Sequence, residues 1–188
     1  ELDVKHGRDV PHIKADKNQL ENAILNLATN ARDAMLSHDN GGKLTIRTAR
    51  TTGADAHAKG FKFVEDGEYM LIEVEDTGHG MSKDVMEKIF QPFFTTKEAG
   101  VGTGLGLATV YGIIKQSGGY VCTTSSVGKG TTFHIYLPAL KAEDVPAPVE
   151  VTAADKVAAR LNLIALEYEQ GWQGRITQRT RRLQRREL

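Results

Sequence analysis

Cysteine is almost absent from this chain. Among 188 residues Cys122 stands alone, which excludes an internal disulfide and a cysteine-built metal cluster and suits a reducing cytosol. Surplus charge is lacking as well. Lys plus Arg and Asp plus Glu number 24 each, so no global field recommends nucleic acid or an anionic membrane as a partner. No apolar run approaches the roughly 20 residues of a membrane span, and the charged N-terminus is unlike a signal peptide. A Walker loop is missing too, since neither Lys43 nor Lys129 is followed by Ser or Thr. The expected location is the cytoplasm, without direct membrane contact. The abrupt start in strand-like Leu2–Lys5 reads as a piece of something longer, which leaves room for a membrane-anchored parent.

What the chain has instead is glycine in one dense turn, Gly100-Val-Gly-Thr-Gly-Leu-Gly-Leu-Ala-Thr109. A glycine-rich loop running into a helix leaves backbone N–H groups pointing outward with the helix dipole behind them, an arrangement that favours a polyphosphate. Its residues Gly102, Thr103, Gly104, Leu105, Gly106 and Leu107 are the candidate phosphate cradle. Alone, such a turn is also compatible with a flexible connector.

Periodicity predicts a helix over 17–36, capped by Asp16 and carrying Leu20, Ile24, Leu27, Ala31 and Met35 at helical spacing. Lys43–Thr51 and Tyr69–Asp76 read as strands, with a polar loop or hairpin extension over 52–68 between them. A short helix follows Ser82 through Phe90, a loop spans 91–103, and a second helix runs from about Gly104 to Ser117. Strands Tyr120–Ser125 and Thr131–Leu137 close the pattern. The expected fold class is α+β, a two-layer sandwich with helices on one face of a mixed sheet. Residues 1–140 form the expected domain and 141–152 a linker. Residues 153–188 combine an amphipathic helix with an Arg-rich tail, read as disordered or docking rather than as a nucleic-acid site.

Four further segments accompany the Gly-rich turn: Asn26-Leu-Ala-Thr-Asn30-Ala31, Asp76-Thr-Gly78-His-Gly80-Met81, Phe90-Gln-Pro-Phe93-Phe94 and Gly128-Lys-Gly130-Thr131-Thr-Phe133. In this order they resemble the ATP-binding catalytic domain of bacterial sensor histidine kinases, in the superfamily that includes gyrase, Hsp90 and MutL. The resemblance covers roughly residues 1–138 and implies a Bergerat-type ATP-binding fold. Through Asn30-Ala-Arg-Asp-Ala34 and Phe93-Phe-Thr-Thr-Lys97 the chain is most similar to the cell-cycle hybrid kinases of alphaproteobacteria.

The resemblance implies roles. Asn30 becomes the Mg²⁺ ligand and Asn26 lies beside the phosphates. Both amides project from one helix face, and an amide oxygen suits a hard cation. Asp76 accepts the adenine amino group, Gly78 and Gly80 permit close approach of the base, and Thr131 helps read the adenine edge. Without the resemblance, Asp76 is a turn aspartate and the asparagines bind solvent. Lys97 is placed to reach the terminal phosphates, or else is an ordinary exposed lysine. Asp33 departs from many histidine kinases, which carry a basic residue there, and is counted among the nucleotide contacts. Of Phe90, Phe93 and Phe94, one or two are expected in the core and at least one exposed on a lid, with the segment from about Glu98 to Gly102 ordered by nucleotide.

The implied reaction is transfer of the ATP γ-phosphoryl group to a histidine on the protein's own dimerising helical domain, and from there to a response regulator. That acceptor is missing: five of the six histidines lack a following acidic residue, and His38-Asp39 runs into Asn-Gly-Gly rather than a helix. The alternative is a hydrolytic ATPase or a catalytically silent nucleotide-binding module of the same superfamily. Hydrolytic members carry Glu where this chain has Asn26, and an amide cannot take a proton from water. A protease reading of Asp76-Thr-Gly78 fails for want of a second copy. Finally, Tyr111 and Lys115 share a helix face with Tyr120 nearby, rings and a cation that can stack a purine and pair with a phosphate. The resemblance to the cell-cycle kinases, which respond to cyclic di-GMP at their catalytic domain, implies that this is its receptor. Alternatively, the tyrosine simply packs on the sheet.

Overall fold

The computed structural model describes residues 1–36, 41–97 and 102–144. These lie within one compact unit, Glu1–Val145. The expected linker and tail, apart from residues 141–144, and residues 98–101 of the expected lid lie outside the described residues.

Helix α1 (Lys17–Met35) begins where Asp16 accepts a 2.9 Å hydrogen bond from the Gln19 amide. Its stripe of Ala23, Leu27 and Ala31 is buried at a spacing of four. The second long helix, α4 (Gly106–Gln116), buries Val110, Ile113 and Ile114. Five strands are described: β1 (Leu2–Lys5), β2 (Leu44–Thr52), β3 (Glu68–Asp76), β4 (Tyr120–Ser126) and β5 (Gly130–Pro138). They form one sheet in the order β1-β2-β3-β5-β4, with β1 parallel to β2 and the other pairs antiparallel. The mixed sheet and its two long helices make the α+β sandwich expected from the sequence.

Strand β3 sits at the centre and its alternation sorts two cores. Ile72 and Val74 join Leu27, Val110, Ile114, Phe133 and Ile135 beneath α1 and α4. Tyr69 and Leu71 join Phe61, Val64 and Tyr136 on the opposite face. That second core differs from the loop expected over 52–68. Helix α2 (Gly53–Ala58) forms there because Thr52 accepts from the Asp55 amide while the Asp55 carboxylate accepts from the Thr52 amide, a reciprocal cap. The chain then folds Phe61 and Val64 inward. The helix expected through Phe90 is shorter, α3 (Lys83–Met86), capped by Ser82.

Candidate functional site

A cavity of about 510 Å³ opens between the C-terminal half of α1, the end of β3, the segment 94–97 and the start of α4. Its position follows from sequence. One residue before each of the core contacts Leu27 and Ala31 stand Asn26 and Asn30, rotated to the margin of the buried stripe, where both are half-buried. Helix α4 starts without a side-chain cap, and Gly106 in its first turn approaches both amides. A Cβ there would lie 3.6 Å from Asn26 Oδ1 and 4.0 Å from Asn30 Nδ2. The uncapped positive end of α4 therefore lies beside two amide side chains on the cavity wall.

Asp76 ends β3 and is 5% exposed. The Gly78 amide donates to its Oδ1 at 2.8 Å, and the Thr131 amide donates to the same carboxylate. Burial nevertheless dominates and raises the carboxyl above its ordinary value. A carboxylate can accept about four hydrogen bonds, so Asp76 keeps acceptor capacity and lines the cavity. Gly80 has φ +67°, and any Cβ there would collide with the Ser126 carbonyl, so this close turn requires glycine. Gly104, at φ +67°, likewise passes against the Phe93 backbone, and the Phe93 amide donates to its carbonyl at 2.9 Å.

The other candidates divide. Asp33, Lys97, Gly80, Gly102, Thr103, Gly104, Gly106, Leu107 and Thr131 all line the same cavity. Gly78 is not on its wall: it is buried behind Asp76, where a Cβ would meet that of Ala34 at 2.7 Å. Leu105 is also off the wall and 42% exposed. Lys97 is not free. Its ammonium donates to Asp33 Oδ2 at 2.6 Å, and Arg32 holds the other Asp33 oxygen at 2.8 Å. The Lys97 hydrogen bond, ahead of Arg32, holds the Asp33 carboxyl below its usual range. The cavity also has an apolar wall that sequence reasoning missed, formed by Met81, Val85, Ile89 and Phe133. The spacing of 81, 85 and 89, four apart, was the signal available.

The three aromatics of the loop separate as expected. Phe90 and Phe94 pack against the main core, whereas Phe93 is 75% exposed with φ +66°. Tyr111, Lys115 and Tyr120 are also brought together. The Lys115 ammonium lies 5.8 Å from the centre of the Tyr111 ring and 4.5 Å from that of Tyr120. Tyr111 is 42% exposed, packs its ring at 5.6 Å from Phe90, and borders a shallow groove of about 320 Å³.

The described domain is a helix-covered mixed sheet with a cavity at one end, lined by polar side chains on one side and apolar ones on the other, a form that suits a nucleotide-binding class. The particular family is shown by comparison with known proteins. Residues 15–141 match the family described as histidine kinase-, DNA gyrase B-, and HSP90-like ATPase, and the chain belongs to that family. It is 51% identical over 160 residues to the sensor kinase CckA of Brucella abortus, a match that covers 83% of this chain and 17% of that protein. To the sensor histidine kinase ZraS of Escherichia coli K12 it is 40% identical over 129 residues, covering 69% and 23%. The chain thus spans less than a quarter of either relative. Among solved structures, the catalytic domain of histidine kinase ThkA matches with a TM-score of 0.53 at 27% identity, over 73% of this chain and 79% of that one. Full-length ShkA in complex with AMPPNP matches with a TM-score of 0.57 at 26% identity, over 80% and 27%. Among the described residues no helix is long and apolar enough to cross a membrane.

Proposed function

We propose that residues 1–140 are the ATP-binding catalytic domain of a two-component histidine kinase. It passes the γ-phosphoryl group of Mg-ATP to a histidine on a separate dimerising helical domain, and the parent protein relays it to a response regulator. The observation that carries this reading is one cavity holding both a buried carboxylate with spare acceptor capacity and an uncapped helix N-terminus beside two amides. Asp76 accepts the adenine amino group, and the Met81–Phe133 wall takes the purine face. The start of α4 and its glycines face the phosphates.

Mg²⁺ enters as part of the substrate. The donor set fits that view: among the described residues no group of three or more His, Cys, Asp or Glu could hold an ion. A hard amide oxygen at Asn30 can instead complete the shell of a cation that the phosphates bring. The metal supplies charge neutralisation on the transferring group. Lys97 reaches phosphate only by sharing or leaving Asp33. Phosphoryl transfer rather than hydrolysis follows from Asn26, which offers water no base. Exposed Phe93 and Leu105, chain neighbours of the cavity-lining Phe94, Gly104 and Gly106, suit docking on the helical acceptor domain.

Supplying a histidine-bearing helical domain in trans, with radiolabelled ATP, tests the reading. Label should reach the acceptor slowly, because positioning is lost, and should not appear on a histidine of this chain. Rapid hydrolysis without acceptor would support the ATPase alternative.

The regulatory part of the proposal is that cyclic di-GMP binds at Tyr111, Lys115 and Tyr120. What supports it is an exposed tyrosine ring, a cation within reach of two rings and an adjoining aromatic groove. Cyclic di-GMP should bind the wild type and lose affinity in Tyr111→Ala; equal binding by both rejects the site.

A further inference from the structure

Ser125 on β4 does not line the cavity, yet it contacts the residue that does. Its hydroxyl donates to the Gly130 carbonyl at 2.8 Å and accepts from the Met81 amide at 2.8 Å. Its oxygen also lies 3.0 Å from the Thr131 hydroxyl, where geometry alone allows either atom to donate. The count of protons decides. A serine hydroxyl has one proton and two lone pairs, and that proton is already on the Gly130 carbonyl. The proton between the two hydroxyls therefore belongs to Thr131. Thr131 is 6% exposed, so no solvent competes to turn it elsewhere. With its proton on Ser125, Thr131 presents only lone pairs to the cavity. It does so beside Asp76, its cross-strand partner, whose spare capacity is also acceptor-only while ionised.

We infer that Ser125 is a positioning residue for base selectivity: it fixes Thr131 as an acceptor, so that two acceptors face the amino edge of the purine. This inference rests on the reading that the adenine lies against Asp76. A six-amino purine satisfies both acceptors. A six-oxo purine sets its oxygen against them at the same position and gains a donor only at N1, one atom further along the ring. Without Ser125 the Thr131 hydroxyl turns, donates to the six-oxo group and removes part of that penalty.

Inosine triphosphate differs from ATP only along this edge, so paired titrations of the 188-residue chain with the two magnesium nucleotides read the effect. Wild type should prefer ATP. Ser125→Ala should cut the ATP-to-inosine ratio about tenfold, mostly by gaining inosine triphosphate affinity. Ser125→Thr keeps a hydroxyl and should keep the wild-type ratio. In a Thr131→Ala background, Ser125→Ala should leave the ratio where Thr131→Ala puts it. A Ser125→Ala protein that weakens both nucleotides by one factor shows a structural role only and overturns the inference. So does a further fall in the Thr131→Ala background, which survives as a test if the single variant folds poorly. A wild type without preference for ATP overturns the placement of the base as well, which separates the two failures.

Discussion

Two carboxylates three residues apart on β3 face opposite sides of the sheet, and their surroundings differ in kind. Glu73 lies under α2 and the 59–67 segment, where His134 bonds it at 3.1 Å, Lys59 at 3.0 Å and Arg47 at 3.3 Å. His134 is itself held by Thr124, and its ring lies 5.2 Å from that of Phe61. The His134 hydrogen bond, followed by Lys59, pulls the Glu73 carboxyl from its ordinary 4.5 down to about 2. Asp76, on the helix-covered side, has backbone amides only, and burial raises its carboxyl. One buried acid has its bonding capacity taken up within the fold. The other retains some at a cavity wall, where the proposed nucleotide would complete it. On that proposal, unspent acceptor capacity beside open space, rather than burial alone, marks the functional acid.

The comparison breaks if substitutions at these two positions do not separate binding from stability. Asp76→Asn should lower ATP affinity about a hundredfold, near 2.7 kcal/mol, because a charged acceptor for the amino group is replaced by an amide. Its folded-state carboxyl is raised, so ionisation at neutral pH opposes folding, and the variant should melt no lower than wild type. Calorimetric titration and a melting curve on the same sample check both halves.

Glu73→Ala should do the reverse. It orphans His134 and costs about 2 kcal/mol of stability, with Lys59 and Arg47 adding little because both remain near half-exposed. ATP affinity should stay within twofold of wild type. The pH dependence has a definite sign. A depressed folded-state carboxyl contributes stability above 4.5 that fades as pH falls toward about 2. Denaturant midpoints of wild type and Glu73→Ala should therefore converge across that window; parallel curves there contradict the assignment.

Asn30→Ala sharpens the cavity side of the comparison. It should weaken ATP about tenfold with Mg²⁺ and hardly at all in chelator, since the amide acts on the cation. The smallest effect belongs to the far face: Thr52→Ala removes the α2 cap, costs about 1 kcal/mol and should leave nucleotide binding untouched.

The sequence made α1, α4 and the four longer strands legible because each has strong periodicity, a visible cap or both. Asn26, Asn30 and Asp76 were legible as a group because motif order, not any one residue, placed them together. What stayed hidden were consequences of tertiary contact. Nothing in residues 52–68 but Thr52 and Asp55 announces a helix, and their reciprocal cap is easily taken for a turn. The ion pair between Asp33 and Lys97 joins residues 64 apart in the chain, and no periodicity reports it. Gly78 reads as a base contact in the motif, yet its amide supports Asp76 from behind.

Titrating Mg-ATP into wild type, Asp76→Asn and Glu73→Ala under one buffer tests the central claim most directly. The account predicts one nucleotide site in wild type, an unchanged site in Glu73→Ala and about a hundredfold weaker binding in Asp76→Asn, with Asp76→Asn the more stable of the two variants. Equal losses of affinity in both variants, or no binding by wild type, would contradict it.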